Sequence, residues 1–271
     1  MLGAPEGKTE SFVKFLQLKK QMKKDKNLIA DQAPSVNGLV LKGAAVDVLI
    51  GCEESQEVTK ALRAIGINAY SNDLKDCSGG HPEWHLKMDV MEAMKLKDWA
   101  MIGLHPVCTK MTLSGNRHYA PGKPKAHERI EAVEWTINLW REACKKSKLV
   151  YMENPMGAMN GDKRLPKPQI IHPYYFGDEF QKTTCLWLYG LPPLLHCEEA
   201  NLFEENTHVG KGEMWVAKSG KVMPKWFADT PSTKSEANRT IRSKTFPGIA
   251  KAMQQQWGLG VLAAAPLRHC L

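Results

Sequence analysis

Residues 46–73, VDVLIGCEESQEVTKALRAIGINAYSND, decide the fold. Val46 to Ile50 is a short apolar run suited to a buried strand, and Gly51 breaks it. Ser55 stands where it can cap a helix whose apolar stripe is Val58, Leu62 and Ile65, closed by Gly66. Ile67 to Asn72 reads as a second strand. Working outward, Trp99 to Leu104 predicts another strand. HERIEAVEWTINLWREACKKSK then predicts a long helix with Ile130, Val133, Ile137, Trp140 and Cys144 on one face, and Lys145, Lys146 and Lys148 suit its negative C-terminal end. Leu149 to Met152 follows as a strand. Strands alternating with helices predict an α/β domain with a mostly parallel central sheet and helices on both faces.

Around this core the chain divides unevenly. Residues 1–43 form a basic extension and linker, with seven lysines against three acids in residues 1–26 and Phe12, Phe15, Leu16 and Leu18 at loosely helical spacing. The cofactor-binding and catalytic core is expected over 44–155. Residues 156–240, rich in Pro, Gly, Lys and Trp, read as a small irregular subdomain with short strand candidates at Thr184 to Leu188 and Met214 to Ala217. Residues 241–260 predict a helix returning to the core, with Ile249, Met253 and Trp257 spaced by four, and 261–271 a tail.

The 271 residues are 43% hydrophobic and 24% charged, which suffices for a buried core and excludes a disordered chain. No apolar run is long enough for a spanning helix, and no secretory signal is evident, so no membrane association is expected. Seven scattered cysteines without a C-x-x-C pair argue against a disulfide framework and for a reducing, cytoplasmic compartment. Cys77, His81 and His85 have a C-x3-H-x3-H spacing but lack a fourth ligand, so no metal is expected. The net charge of +8 suits a polyanionic partner.

In open α/β sheets ligands bind beyond the carboxyl ends of the strands. There the sequence sets Gly51-Cys52-Glu53-Glu54-Ser55, Asp73, Asp89, His105-Pro106-Val107-Cys108-Thr109 and Glu153-Asn154-Pro155. Asp73 lies about 20 residues beyond the glycine turn, the spacing at which a carboxylate accepts from ribose hydroxyls. Singly, Asp73 suits a turn cap, Glu53 a solvated turn and Asp89 an N-cap; jointly they favour a nucleotide-like ligand. The turn lacks G-x-G-x-x-G, which favours an adenosine without phosphates. Cys108 in a loop beyond a strand is a candidate nucleophile. Glu153, kept protonated by burial, is a candidate donor to a ring nitrogen. A thiolate and an acid beside an adenosine site are what conjugate addition to a pyrimidine requires.

With VLIGCEES, Asp73, HPVCT, YMENP, TTCLWLYGLPPL and SKTFPGIAKAMQQQW, residues 45–258 resemble class I S-adenosylmethionine-dependent methyltransferases of the Rossmann-like fold. More narrowly, they resemble the small cytosine-5 DNA methyltransferases often encoded by phages and prophages. The resemblance implies double-stranded DNA as partner, the cytoplasm of a bacterial host or phage-infected cell, and a flipped-out cytosine. It makes Cys108 the nucleophile at C6 and Glu153 the group that binds and protonates N3. Gly51, Glu53, Asp73, Asp89 and Pro106 would line the cofactor site, and Asn154 and Pro155 the base. Two positions depart from the family pattern. Val107 replaces a proline before the nucleophile, and no arginine stands after the ENP segment to meet the cytosine carbonyl, leaving Lys182 and Thr184 as candidates. Lys163, Arg164, Lys211, Lys218, Lys221, Lys225, Arg239 and Arg242 are expected at phosphates or bases. Two rivals share the fold: an enzyme methylating adenine N6 or cytosine N4, whose loop carries an aromatic where Cys108 stands, and a catalytically silent nucleic-acid-binding protein.

Overall fold

A computed structural model describes residues 46–197, 208–231 and 235–263. Strand β1 (Asp47–Gly51) is buried from Val48 onward, because a parallel strand in mid-sheet is covered on both faces. It is joined by β2 (Asn68–Asp73), β3 (His85–Lys87), β4 (Met101–Leu104), β5 (Val150–Pro155), β6 (Gln169–Ile171) and β7 (Thr184–Tyr189). The seven-stranded sheet runs β3-β2-β1-β4-β5-β7-β6. The first five of these strands are parallel, and β7 is antiparallel to both β5 and β6. This order, with β7 alone reversed, is the Rossmann-like class I methyltransferase fold. Chain direction through the sheet switches between β1 and β4, which opens a crevice at their carboxyl ends.

Side chains alternate along β1 and so build two cores. Val48 and Ile50 meet Val58 and Leu62 of α1 (Glu57–Arg63). Leu49 faces the opposite side with Val90 of α2 (Val90–Ala93). The chain then passes through α3 (Asn116–Tyr119) into α4 (Ala126–Lys146), which covers this second face with Ile137, Trp140 and Ala143. Ile130, read from sequence as part of the buried stripe, is 64% exposed. The fully buried positions of α4 begin at Thr136, and Val133 packs against this core half-buried, so of the stripe only Ile130 is turned to solvent.

Beyond the sheet, β8 (Met214–Val216) pairs only with β9 (Val222–Pro224) in a separate hairpin. Helices α5 (Lys225–Asp229), α6 (Glu236–Ser243) and α7 (Pro247–Met253) follow, and α7 runs through a π-type turn at Gln254–Gly258 into α8 (Leu259–Ala263). Ile249, Met253 and Trp257 are buried against Val58 and Leu62. The Trp257 indole donates to the Pro192 carbonyl at 2.9 Å. The Phe-Pro-Gly that opens α7 has a specific partner. The Gly248 amide donates to Asp178 Oδ2 at 2.8 Å, and a Cβ on Gly248 would stand 2.2 Å from the Phe176 carbonyl oxygen. Only glycine permits that approach.

The stretch 156–240 is therefore not one irregular body. β6 and β7 belong to the main sheet, which moves the end of the core well beyond residue 155. The basic extension 1–43 and most of the tail 261–271 lie outside the described residues.

Candidate active site

The turn after β1 holds two non-glycine residues in the left-handed region, Cys52 at φ 59° and Gln56 at φ 60°, a conformation that sterics disfavour. Buried polar contacts hold it there. The Gln56 amide donates to Ser71 Oγ and to the His81 carbonyl, and its oxygen accepts from the His81 amide. Glu53 is 3% exposed. Its Oε1 accepts from the Val58 amide at 2.6 Å, and its Oε2 accepts from the Thr59 hydroxyl at 2.6 Å and the Thr59 amide at 3.3 Å. Glu53, not Ser55, therefore satisfies the open amides of α1. Its carboxylate is committed to the helix, which corrects the expectation that it faces a ligand. Burial pushes its pKa up, against the opposing pull of His105 and of these hydrogen bonds.

Gly51 is set by close packing, since a Cβ there would meet Val90 Cγ2 at 2.6 Å. Asp89 caps α2 by accepting from the Met91 amide. Asp73 ends β2 half-buried, accepting from the Lys75 amide at 3.0 Å. Both charges reach the Cys52 thiol, which burial first and then Asp73 and Asp89 push up to about 12. Cys52, Asp73 and Asp89 thus converge where β1 and β2 end. The buried Asn72 Oδ1 has no hydrogen-bond partner among the described residues, and the Asp73 carboxylate suits ribose hydroxyls, so these acceptors fit the hydrogen-bond donors of an adenosine.

The second half of the site follows from one register. Gly103 pairs with Tyr151 and Leu104 with Met152, so His105 and Glu153, one position further on, continue the same faces. A Cβ at Gly103 would lie 2.4 Å from the Tyr151 ring, so this glycine admits the ring. His105 Nδ1 then stands 3.6 Å from Glu153 Oε2, with side chains 9% and 13% exposed, and its Nε2 lies 2.9 Å from the Tyr151 hydroxyl. Burial alone would raise the Glu153 pKa, but the hydrogen bond from His105 and the Lys182 charge outweigh it and hold the carboxyl below its ordinary value. Glu153 is therefore ionised near neutrality, which corrects the expectation of a carboxyl kept protonated by burial.

Cys108 follows in a tight turn whose carbonyl accepts from the Met111 and Thr112 amides. Two anchors fix that turn. Arg129 of α4 donates to the Lys110 and Thr112 carbonyls and to Asn116 Oδ1. The Met111 carbonyl accepts from the Ala158 amide, and a Cβ on Gly157 would stand 2.0 Å from its oxygen. Asn154, 1% exposed, donates to the carbonyl of buried Pro106 at 2.9 Å and so ties the β4 loop to β5. Val107 is 71% exposed, so the position that departs from the family's proline faces solvent. Burial and the Glu153 charge raise the Cys108 thiol, while Lys182 and Arg242 oppose them.

Lys182 reaches the Lys244 carbonyl at 3.5 Å and lies 5.7 Å from the Phe246 ring centre. Arg242 stacks 3.4 Å over Phe227 and donates to the Thr230 carbonyl. Thr184 is buried, with its hydroxyl on the Lys182 carbonyl, and Pro155 pairs with it across β5 and β7. Thr184 is thus turned into the sheet, and Lys182 and Arg242 are the cations near the thiol. Sequence reasoning gave His105, Tyr151, Gly157 and Arg129 no role. The two-residue spacings Gly103/His105 and Tyr151/Glu153 were the available signal for the first pair.

Of the other basic residues, Arg164 pairs with Asp162 and Glu134 at 2.7 Å each, and Lys225 with Glu213, on the exposed surface. Among the described residues no cluster of three or more His, Cys, Asp or Glu is placed to hold a metal ion. The His85 ring nitrogens meet Ser71 Oγ and the Lys75 carbonyl. No helix among the described residues is long and apolar enough to cross a membrane.

No protein-family model matches the sequence, and no curated protein sequence does. Among solved structures, the chain is similar to the Entamoeba histolytica methyltransferase EhMeth, at 16% identity and a TM-score of 0.41 over 62% of this chain and 58% of that one. It is also similar to the S. pombe Dnmt2 methyltransferase, at 14% identity and a TM-score of 0.38 over 55% of this chain and 51% of that one. The chain thus spans between half and three-fifths of the length of each.

Proposed function

We propose that the protein is a DNA (cytosine-5) methyltransferase that modifies a flipped-out cytosine through a covalent bond to Cys108. The observation that carries this reading is the meeting of the Cys108 thiol with the charges of Glu153, Lys182 and Arg242 where β4 and β5 end. Next to it lies the Cys52, Asp73 and Asp89 cluster. The Gly51 turn, Asp73 and Pro106 would hold S-adenosylmethionine, which would supply an electrophilic methyl group.

A cytosine carbon accepts that group only after its ring is made electron-rich. The Cys108 thiolate adds to C6 and the C5=C6 pair moves to C4–C5. The C4=N3 pair then settles on N3, which takes a proton. Lys182 and Arg242 favour the thiolate against burial and the Glu153 charge. The ionised Glu153 accepts from the 4-amino group and holds the proton at N3. Once C5 carries the methyl group, loss of the C5 proton and of the N3 proton expels the thiolate and restores the ring. In duplex DNA the base must first leave the stack, at a cost of a few kcal/mol, and the exposed Lys163, Lys211, Lys218 and Lys221 supply charge for the phosphates.

Bisulfite sequencing of DNA from cells expressing the protein, with mass spectrometry of its nucleosides, tests this. Protected cytosines in a fixed context and 5-methylcytosine are expected. N4-methylcytosine or N6-methyladenine would replace the reading with amino methylation, and unmodified DNA across many sequences would favour a silent binder.

A further inference from the structure

His105 lies between two buried carboxylates. Its Nδ1 faces Glu153, and its charge opposes the burial that raises the pKa of Glu53 behind the β1 turn. The ring cannot turn freely, because Nε2 is held at the Tyr151 hydroxyl and Tyr151 packs on Trp257 with centroids 5.2 Å apart. Burial and the charges of Glu53 and Glu153 keep the Tyr151 hydroxyl neutral. In a charged imidazole both nitrogens donate, so the hydroxyl then accepts from Nε2–H and Nδ1 carries the proton turned toward Glu153.

Resting on the cytosine-5 reading, we propose that His105 is a positioning residue that stores the proton which Glu153 passes to N3. An ionised carboxylate cannot donate, and the imidazolium beside it can. As sulfur bonds to C6, Glu153 Oε2 takes the proton from His105 Nδ1 and passes it to N3. The imidazole is left neutral with Nε2–H still on Tyr151. When the thiolate leaves, the N3 proton returns by the same route and no proton is consumed on that path. The charged and titratable groups facing the pair are Tyr151 from β5, Glu53 from the β1 turn, Cys108 from the β4 loop and Lys182 from before β7; Arg242 acts on Cys108.

The test uses the full chain and a duplex carrying its target site with the cytosine unmethylated, without cofactor, in D2O. Reversible addition of Cys108 to C6 makes C5 exchange its hydrogen, which mass spectrometry reads. In the wild type, exchange should decline as the pH rises, because the route needs a charged imidazole. His105→Gln should erase that limb and lower exchange about a hundredfold, with DNA binding unchanged. Tyr151→Phe should keep the limb but move it. His105→Gln exchange with the wild-type profile, or reduced uniformly at every pH, overturns the proposal and leaves the cytosine-5 reading standing. A wild type that never exchanges overturns both.

Discussion

The two halves of the crevice use carboxylates in opposite ways. Where β1 and β2 end, Glu53 and Asp89 satisfy the first amides of α1 and α2, and Asp73 is the carboxylate with least committed to the fold. Where β4 and β5 end, no helix begins directly after Glu153. Its charge is met by His105 and Lys182 and opposes that of the Cys108 thiol. The difference shows that a strand end alone does not make a carboxylate functional. The amides of a following helix compete for it, and a caught carboxylate becomes a cap.

Substitutions can break this contrast. Glu53→Ala should be the most damaging, because it strands two buried amides and the Thr59 hydroxyl. A stability loss of roughly 3–5 kcal/mol by urea denaturation is expected, and a fully stable variant that merely bound cofactor less well would return Glu53 to the ligand. Next comes Gly157→Ala, whose methyl group would press on the Met111 carbonyl. It should cost about 1–3 kcal/mol and slow methylation more than it weakens DNA binding, since the Cys108 turn shifts against Glu153. Unchanged kinetics would show that the turn is held by Arg129 alone. A smaller effect separates the two aspartates. Asp89→Ala should lose about 1 kcal/mol of stability as a cap. Asp73→Ala should leave stability intact and weaken S-adenosylmethionine binding by about 1.5–3 kcal/mol in calorimetry. Reversed effects would reverse their roles.

The smallest expected change sharpens the β4–β5 side. Burial and the Glu153 charge raise the Cys108 thiol, so iodoacetamide should alkylate it with a midpoint above that of an ordinary thiol. Only the thiolate reacts. Glu153→Gln removes a raising charge and should move the midpoint down, while Lys182→Gln removes a lowering one and should move it up. Shifts of the opposite sign would place the Glu153 charge away from the sulfur.

Much of the sheet was legible because β1, β4 and β5 are mid-sheet strands whose apolar runs are continuous. β6 was not, as Gln169–Ile171 is three residues long and gains its meaning only from pairing with β7. Asp73, Cys108 and Glu153 were legible as residues following apolar runs. The ionisation of Glu153 was hidden, because it depends on the lateral register that brings His105 beside it, and register between strands 46 residues apart in sequence leaves no local trace. The role of Glu53 was hidden for the converse reason. The left-handed Gln56 shifts the start of α1, so the capping side chain lies further upstream than the usual pattern.

The covalent bond is the central claim, and DNA carrying 5-fluorocytosine at the target tests it most directly. Fluorine cannot leave as a cation, so elimination stalls after methyl transfer. The wild type should form an adduct that survives denaturation, mapping to Cys108 by mass spectrometry. Cys108→Ser should form none while still binding S-adenosylmethionine, because a serine hydroxyl is protonated near neutrality and is a far poorer nucleophile. Cys108→Ser that still methylates cytosine, or wild-type protein that methylates its site yet is never trapped, would contradict the covalent mechanism.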